Sequence, residues 1–367
     1  MGKPRMLFIT PLPPPVHGSA MVSQYIKDCK ELQDEFQCDF VNLSTSRNID
    51  EIGKRSIMKY IRFIGAYFIT FWKLLTHRYA LCYLAITCHG MGFLKDAPFV
   101  LLCKLFRRKI VIHQHNKGMS KCVDKQPYKW LLPLVYRNTK VILLSWYLYP
   151  DIEKVVKKEQ ILICPNGIPE LFDKEPHFER NNQVPNLLFL SNLIPSKGVY
   201  VLLDACKILK EKGYKFVCNF VGGESKEITK EVFEKAVDER GLNEIVYYKG
   251  PKYGNEKNAF FSNADIFVFP TYYFNECFPL VLLEAMQYKL PIITSCEGGI
   301  PDIVTNGENG FVCKTNDVDT TSDAIEKLLK DSGLRTQMGN NGHKLFRENF
   351  TLSVFNKNIT WILKEIV

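Results

Sequence analysis

The sequence predicts an α/β protein of two Rossmann-like domains, each a parallel sheet covered by helices, facing each other across a cleft. Three observations predict it. A chain of 367 residues is long for one core and should divide into two domains of ordinary size. Twelve short apolar, β-rich runs alternate with amphipathic segments, the rhythm of parallel strands joined by helices. Between the first six runs and the second six lies "PNGIPELFDKEPHFERNNQVPN", whose Pro, Asn and charge content reads as a linker.

In chain order, the first half places strands near 5–10, 39–43, 80–86, 109–113, 140–145 and 161–164, with helical segments between them. The second half repeats the pattern near 186–190, 215–221, 245–248, 265–269, 291–294 and 311–313. Helical segments at 317–330, 334–348 and 352–366 close the chain. The last carries Phe355, Ile359, Trp361, Ile362 and Ile366 on an apolar face. The predicted domains are residues 1–175 and 180–351. In such sheets, ligands bind at the carboxyl ends of the strands.

Composition narrows the function classes. The 46% hydrophobic content is that of a soluble globular protein. Twelve scattered cysteines, with no CxxC pair, suit a reducing compartment and argue against a zinc finger. The strand-like "RMLFIT" stands close to the N-terminus, so no signal peptide is expected. The most apolar stretch, "FIGAYFITFW", is 10 residues between Arg62 and Lys73, whereas a spanning helix needs roughly 20. Charge is uneven. Residues 1–180 hold 27 Lys and Arg against 16 Asp and Glu, a balance of +11, and residues 181–367 hold 21 against 23, a balance of −2. A basic half points to an anionic partner, with an ordinary solvated basic surface as the alternative.

The loops after the strands carry the candidate chemistry. "FITPLPPPVHGSAM" follows the first strand without a GxGxxG, so a nicotinamide or flavin site is not expected; Gly18-Ser19 opens a helix whose amides can face an anion, although the loop alone reads more simply as a plain strand-to-helix turn. In "VIHQHNKGM", His113 and His115 fall on one side of a strand end. No third ligand stands at metal spacing, which leaves hydrogen bonding to a polar substrate or an ordinary strand-end role. "DVD" at 317–319 sits at a helix start, where capping explains the acids and no metal is predicted. Lys197 in "IPSKG" stands where it can reach a phosphate, with an ordinary solvated lysine as the alternative, and Gly222 in "FVGGE" allows close backbone approach to a ligand.

The stretch "NECFPLVLLEAMQ" carries Glu276 and Glu284 in an apolar run. Pro279 suits the first turn of a helix, which puts Glu276 in the loop before it and Glu284 on its second turn. Glu276 then sits at the mouth of the cleft and Glu284 leans towards it. The unpaired amides of Leu280 and Val281 lie between them, a place for a diphosphate. Ionised carboxylates only accept hydrogen bonds, and a sugar offers hydroxyl donors. The plain alternatives are a salt bridge for Glu284 and a favourable helix-dipole charge for Glu276.

"ADIFVFPTYYFNECFPLVLLEAMQYKLPIITSCEGGIPDIV" resembles the E-x7-E region of retaining GT-B glycosyltransferases of family four, of the type that builds surface polysaccharides. "SNLIPSKG", "LICPNGI" and "PLPPPVHGSAM" resemble further motifs of that family in its order and spacing. The resemblance implies a metal-independent hexosyltransferase without cofactor, acting on a nucleoside diphosphate sugar held by the C-terminal domain. It implies that the final helix, 352–367, returns to the N-terminal domain. Glu276 would bind the donor sugar, Glu284 the ribose, and Lys197 with the amides near Phe278 to Val281, around Pro279, the diphosphate. Gly250 and Pro251 would lie at the base, His115 near the sugar with His113 as second choice, and Gly18 near the leaving phosphate. Asn192 stands where the family usually has arginine, and "ECFPL" replaces the commoner "EGFGL", which removes a backbone donor at Pro279.

The implied reaction is sugar transfer to a saccharide or lipid-linked acceptor in surface polysaccharide or glycolipid synthesis. Alternatives are a nucleotide-sugar binding protein without turnover, which Asn192 favours, and a GT-B-type sugar-nucleotide epimerase. No nucleic-acid motif accompanies the charge. On the run 55–77, Arg55, Lys59, Arg62, Lys73 and His77 form a basic stripe beside Phe63, Tyr67, Phe68, Phe71 and Trp72. That pattern suits an anionic membrane face, and so a cytoplasmic protein at the inner surface of a membrane, or else a helix packed on its sheet.

Overall fold

The computed structural model describes residues 2–14, 18–44, 57–172, 174–178, 180 and 182–367. Arg55 and His17 lie outside these residues. The chain divides into two compact units, Met1–Gly167 with Leu352–Val367, and Ile168–Thr351.

The first unit holds strands β1 (Arg5–Thr10), β2 (Gln37–Asn42), β3 (Leu81–Leu84), β4 (Lys109–Gln114), β5 (Lys140–Leu143) and β6 (Ile161–Ile163). They form one parallel sheet in the order β2-β1-β3-β4-β5-β6. Helices α1 (Gly18–Asp28), α2 (Lys30–Glu35), α3 (Ile57–Thr76), α4 (Gly90–Leu105) and α5 (Tyr128–Tyr136) cover it. Met6 and Phe8 of β1, Val22 and Ile26 of α1, and Leu32 of α2 share one core cluster with Phe355, Ile359, Ile362 and Leu363. The last four belong to the C-terminal helix, which therefore completes the first unit. Trp361 departs from the expected apolar face: it is 62% exposed, because Leu363 takes the inward place.

The second unit holds β7 (Asn186–Leu190), β8 (Val217–Val221), β9 (Val246–Tyr248), β10 (Ile266–Phe269), β11 (Ile292–Ser295) and β12 (Gly310–Cys313). Its parallel sheet runs β12-β11-β10-β7-β8-β9. Around it pack α6 (Val199–Glu211), α7 (Lys230–Glu239), α8 (Gly254–Asn263), α9 (Leu280–Gln287), α10 (Val318–Lys330) and α11 (Ser332–Asn349). The C-terminal helix is α12 (Leu352–Ile366). All twelve expected strands are present, with ends within two residues of prediction.

The segment expected to be a linker is instead part of the second unit. The Leu171 amide donates to Gln287 Oε1 at 2.8 Å, and Gln287 Nε2 donates to the Pro169 carbonyl at 3.1 Å. The Arg180 guanidinium donates to the carbonyls of Tyr288 and Lys289. Those bonds move the boundary from 175 to Gly167. Among the described residues no helix is long and apolar enough to cross a membrane.

Candidate active site

Strand order fixes where the second unit can build a site. The chain winds outwards from β7 to β8 and β9, then resumes at β10 on the other side of β7. The reversal leaves the β7 and β10 loops beside each other at the carboxyl ends of their strands, the usual place for a ligand crevice. Lys197 comes from the first loop and Glu276 from the second.

The two loops are stitched together by backbone. The Tyr272 amide donates to the Ser196 carbonyl at 2.7 Å. Lys197 ends a single 3-10 turn, Pro195–Lys197, and Gly198 follows with φ +90°. A Cβ on Gly198 would lie 2.3 Å from the Pro270 carbonyl oxygen, so only glycine fits there. The geometry delivers the Lys197 Nζ to Glu276 Oε2 at 2.5 Å. The ammonium also sits 4.4 Å from the Tyr273 ring centroid and 5.5 Å from that of Phe269.

Glu276 is 8% exposed. Lys197 supplies its counter-charge. Its loop is buttressed from behind. The Gly299 amide donates to the Cys277 carbonyl at 2.6 Å. Gly298, at φ +54°, lies so close that an added Cβ would stand 2.2 Å from the Glu276 carbonyl oxygen.

Helix α9 begins one residue later than expected. Pro279 is its N-cap residue, with φ −69° and ψ 113°. Leu280 and Val281 supply the first amides, which have no acceptor inside the helix. The Phe278 side chain points into the unit and meets Phe350 edge-on at 5.7 Å between centroids. Any ligand contact at Phe278 therefore belongs to its backbone. Glu284 lies on the second turn of α9, where Lys257 of α8 donates to its Oε1 at 2.7 Å. The plain salt-bridge reading of Glu284 is thus realised in the structure, leaving Oε2 as an acceptor.

Gly222 and Gly250 also come together. The Gly222 amide donates to the Gly250 carbonyl at 3.0 Å, and Tyr248 Oη donates to the Gly222 carbonyl at 2.9 Å. A Cβ on Gly222 would stand 1.9 Å from the Ser191 carbonyl oxygen, so protein packing alone already requires glycine there. Gly250 adopts φ +68°, and Pro251 beside it is exposed. Asn192 is exposed and receives the Gly223 amide on Oδ1 at 3.2 Å. The side chain that replaces the usual arginine thus ties the β7 loop to the β8 loop.

In the first unit, Gly18 is the exposed first residue of α1, and an added Cβ would meet nothing within 4 Å. His113 is fully buried; its Nδ1 shares a 2.6 Å hydrogen bond with Tyr83 Oη. Its ring lies 4.1 Å from that of His115, as strand alternation predicts. Both His115 nitrogens are buried without a hydrogen-bond partner, as is His113 Nε2. Burial pushes His115 down to about 4, and burial, then the neighbouring His115, holds His113 well below the ordinary histidine value. Both rings are therefore neutral near pH 7, and His113 has no surface open to solvent.

Asp317 of the DVD run caps α10, accepting the Thr320 amide at 2.7 Å. That bond first of all holds its carboxyl below the usual range. Sequence reasoning missed Tyr273, Lys257 and the Gly298-Gly299 buttress. The glycine pair follows a strand end much as Gly222-Gly223 does, so that signal was available.

The arrangement presents two lysine–carboxylate pairs around a helix start: acceptors for hydroxyls, and amides and ammonium groups for anionic oxygens.

The fold is GT-B. Sucrose-phosphate synthase from Thermosynechococcus elongatus superposes with a TM-score of 0.75 over 99% of each chain at 17% identity. The Anabaena HepE protein, solved in complex with UDP, superposes with a TM-score of 0.73 over 99% of this chain and 100% of its own at 15% identity. Residues 171–345, nearly the whole second unit, match the family of glycosyl transferases group 1. The capsular polysaccharide biosynthesis glycosyltransferase CapM of Staphylococcus aureus is 29% identical over 166 residues, which is 45% of this chain and 42% of the relative. The chain thus spans less than half the length of that relative.

Proposed function

We propose that this protein transfers a sugar from a nucleoside diphosphate sugar to an acceptor hydroxyl, in the assembly of a surface polysaccharide or glycolipid. The observation that carries the reading is the Lys197–Glu276 pair, set at 2.5 Å beside the start of α9. An acid and a base so close, with the acid 8% exposed, form a site poised to exchange partners. A diphosphate draws the ammonium and the α9 amides, and the freed carboxylate accepts from sugar hydroxyls. The group 1 match over residues 171–345 and the likeness to CapM support the reaction class. The likeness to HepE, solved with UDP-glucose as well as with UDP, supports a nucleotide-sugar donor.

In this reading Glu284 takes the ribose hydroxyls and Gly250-Pro251 flank the base. The glycosidic bond to the diphosphate breaks while the acceptor oxygen bonds to the anomeric carbon on the same face. The leaving phosphate takes the acceptor proton, and the configuration is retained. Lys197 and the α9 amides stabilise the charge that builds on the departing diphosphate. No metal takes part. Proton NMR of the product decides the stereochemistry, with the donor's anomeric configuration expected and the opposite one excluding the mechanism. Activity undiminished in EDTA is expected for the metal-free reaction, and its loss with recovery on adding a divalent ion would refute that element.

A further inference from the structure

Helix α3 presents three faces. Thr70 and Leu74 are buried, and Phe63 and Tyr67 pack edge-on against Phe99 of α4 at 5.5 and 5.6 Å between centroids. Phe71 meets Phe106 in the same way at 5.8 Å. Of the five aromatics expected to flank a basic stripe, Phe63, Tyr67 and Phe71 thus pack inwards, whereas Phe68 and Trp72 face out. They belong to an outward ridge: Ile57, Ile61, Ile64, Phe68, Trp72 and Leu75 are each 50–80% exposed. At 100° per residue these side chains centre on one line, and the charge-free arc around them covers roughly half the helix circumference. The ridge runs for about 27 Å at 1.5 Å per residue. Lys59 and Arg62 lie along one edge of the arc, between the ridge and the packed face; Lys73 lies on the same edge but is paired with Asp39 of β2 at 3.0 Å.

Leaving such a ridge in water costs more than scattered apolar groups on a surface do. Two occupants could cover it: a second copy of the chain or a lipid surface. Charge decides between them. Residues 57–150, which contain α3, α4 and α5, hold fifteen Lys and Arg and two Asp, a balance of +13. A two-fold dimer would set two such stretches against each other, whereas an anionic leaflet complements them. The helix does not meet the length and apolarity of a membrane crossing. A charge-free arc with cations along its edge fits a helix lying in the interface plane.

We propose that α3 is a membrane seat, with the Ile57–Leu75 ridge sunk among the acyl chains of an anionic leaflet and Lys59 and Arg62 at headgroup level. Resting on the sugar-transfer reading, the proposal makes the acceptor an amphiphile held in that bilayer, with its accepting hydroxyl at the headgroup layer.

The test is flotation of the full chain with phosphatidylcholine vesicles, with and without phosphatidylglycerol, at low and high salt. Flotation with the anionic vesicles is expected. Phe68→Glu with Trp72→Glu should lower the floated fraction about tenfold while the thermal shift given by UDP stays as in the wild type, so a failed donor reading would show separately. Trp72→Phe preserves the packing: it should still float, yet lose most of the tryptophan quenching that brominated acyl chains give the wild type. No flotation at any lipid composition, or quenching unchanged in Trp72→Phe, would overturn the proposal. A dimer in solution that the double variant dissociates would overturn it too, by assigning the ridge to a second copy.

Discussion

Lys197 Nζ donates to Glu276 Oε2 at 2.5 Å across two loops that a reversal of strand order brings side by side. Both side chains are largely shielded, 15% and 10% exposed. A pair in that setting is consequential mainly when one member is removed, since the other is left without its counter-charge.

Replacing Glu276 by alanine should lower turnover by about 10²-fold or more, in the range of losing a group that acts on the transition state, with the fold retained. Circular dichroism and initial rates check both halves, and a near-normal rate would remove Glu276 from the reaction.

The pair should be coupled in stability. Lys197→Met and Glu276→Gln should each destabilise the ligand-free protein, and the double variant should cost less than the sum by about 1–3 kcal/mol. Urea denaturation of the four proteins closes the cycle; strict additivity would mean that the contact carries no energy.

Glu284 and Lys257 should act on the donor's binding more than on the chemistry. Glu284→Gln is expected to raise the donor KM about tenfold with a smaller change in kcat, as for loss of uniform binding. An equal fall in kcat at unchanged KM would assign Glu284 to the reacting end instead.

Glycines separate packing from approach to ligand. Gly222→Ala should lose several kcal/mol, because its Cβ would stand 1.9 Å from the Ser191 carbonyl oxygen. Gly18→Ala meets nothing within 4 Å, so its stability should hold. If the leaving phosphate sits against Gly18, the same change should cut activity; a fall in stability at Gly18 or none at Gly222 would contradict the packing.

Acid should weaken the first unit through its buried histidines. The unfolded chain takes up protons near the ordinary value of about 6.5, whereas burial holds native His115 down to about 4. Between those values the unfolded state binds more protons, so stability rises with pH there and is lost as pH falls from about 6.5 towards 4. Chemical denaturation at several pH values checks the slope, and His115→Gln should flatten it.

Much of this was legible in the sequence, for identifiable reasons. The twelve strands stood out because parallel strands buried on both faces read as short apolar runs between amphipathic segments. Glu276 and Glu284 stood out because charge is costly in apolar company, and Lys197 because its loop ends at a helix start where a phosphate can sit. Their partners were less legible: Lys257 lies 27 residues from Glu284, on a different helix, and no periodicity links them. The α3 ridge was obscured because apolar residues occupy most of that helix, and only packing reveals that Phe63 and Tyr67 face α4 while Phe68 and Trp72 face out. The Leu171 and Arg180 bonds hid likewise in a composition typical of a linker.

The most direct test of the central claim is calorimetric titration with UDP, GDP and ADP, and the matching monophosphates, on wild type and Lys197→Met. One diphosphate should bind the wild type, lose affinity about tenfold or more in Lys197→Met, and show a larger loss than its monophosphate. Binding of no diphosphate at all, or a diphosphate affinity indifferent to Lys197, would contradict the assignment of this site to a nucleoside diphosphate sugar.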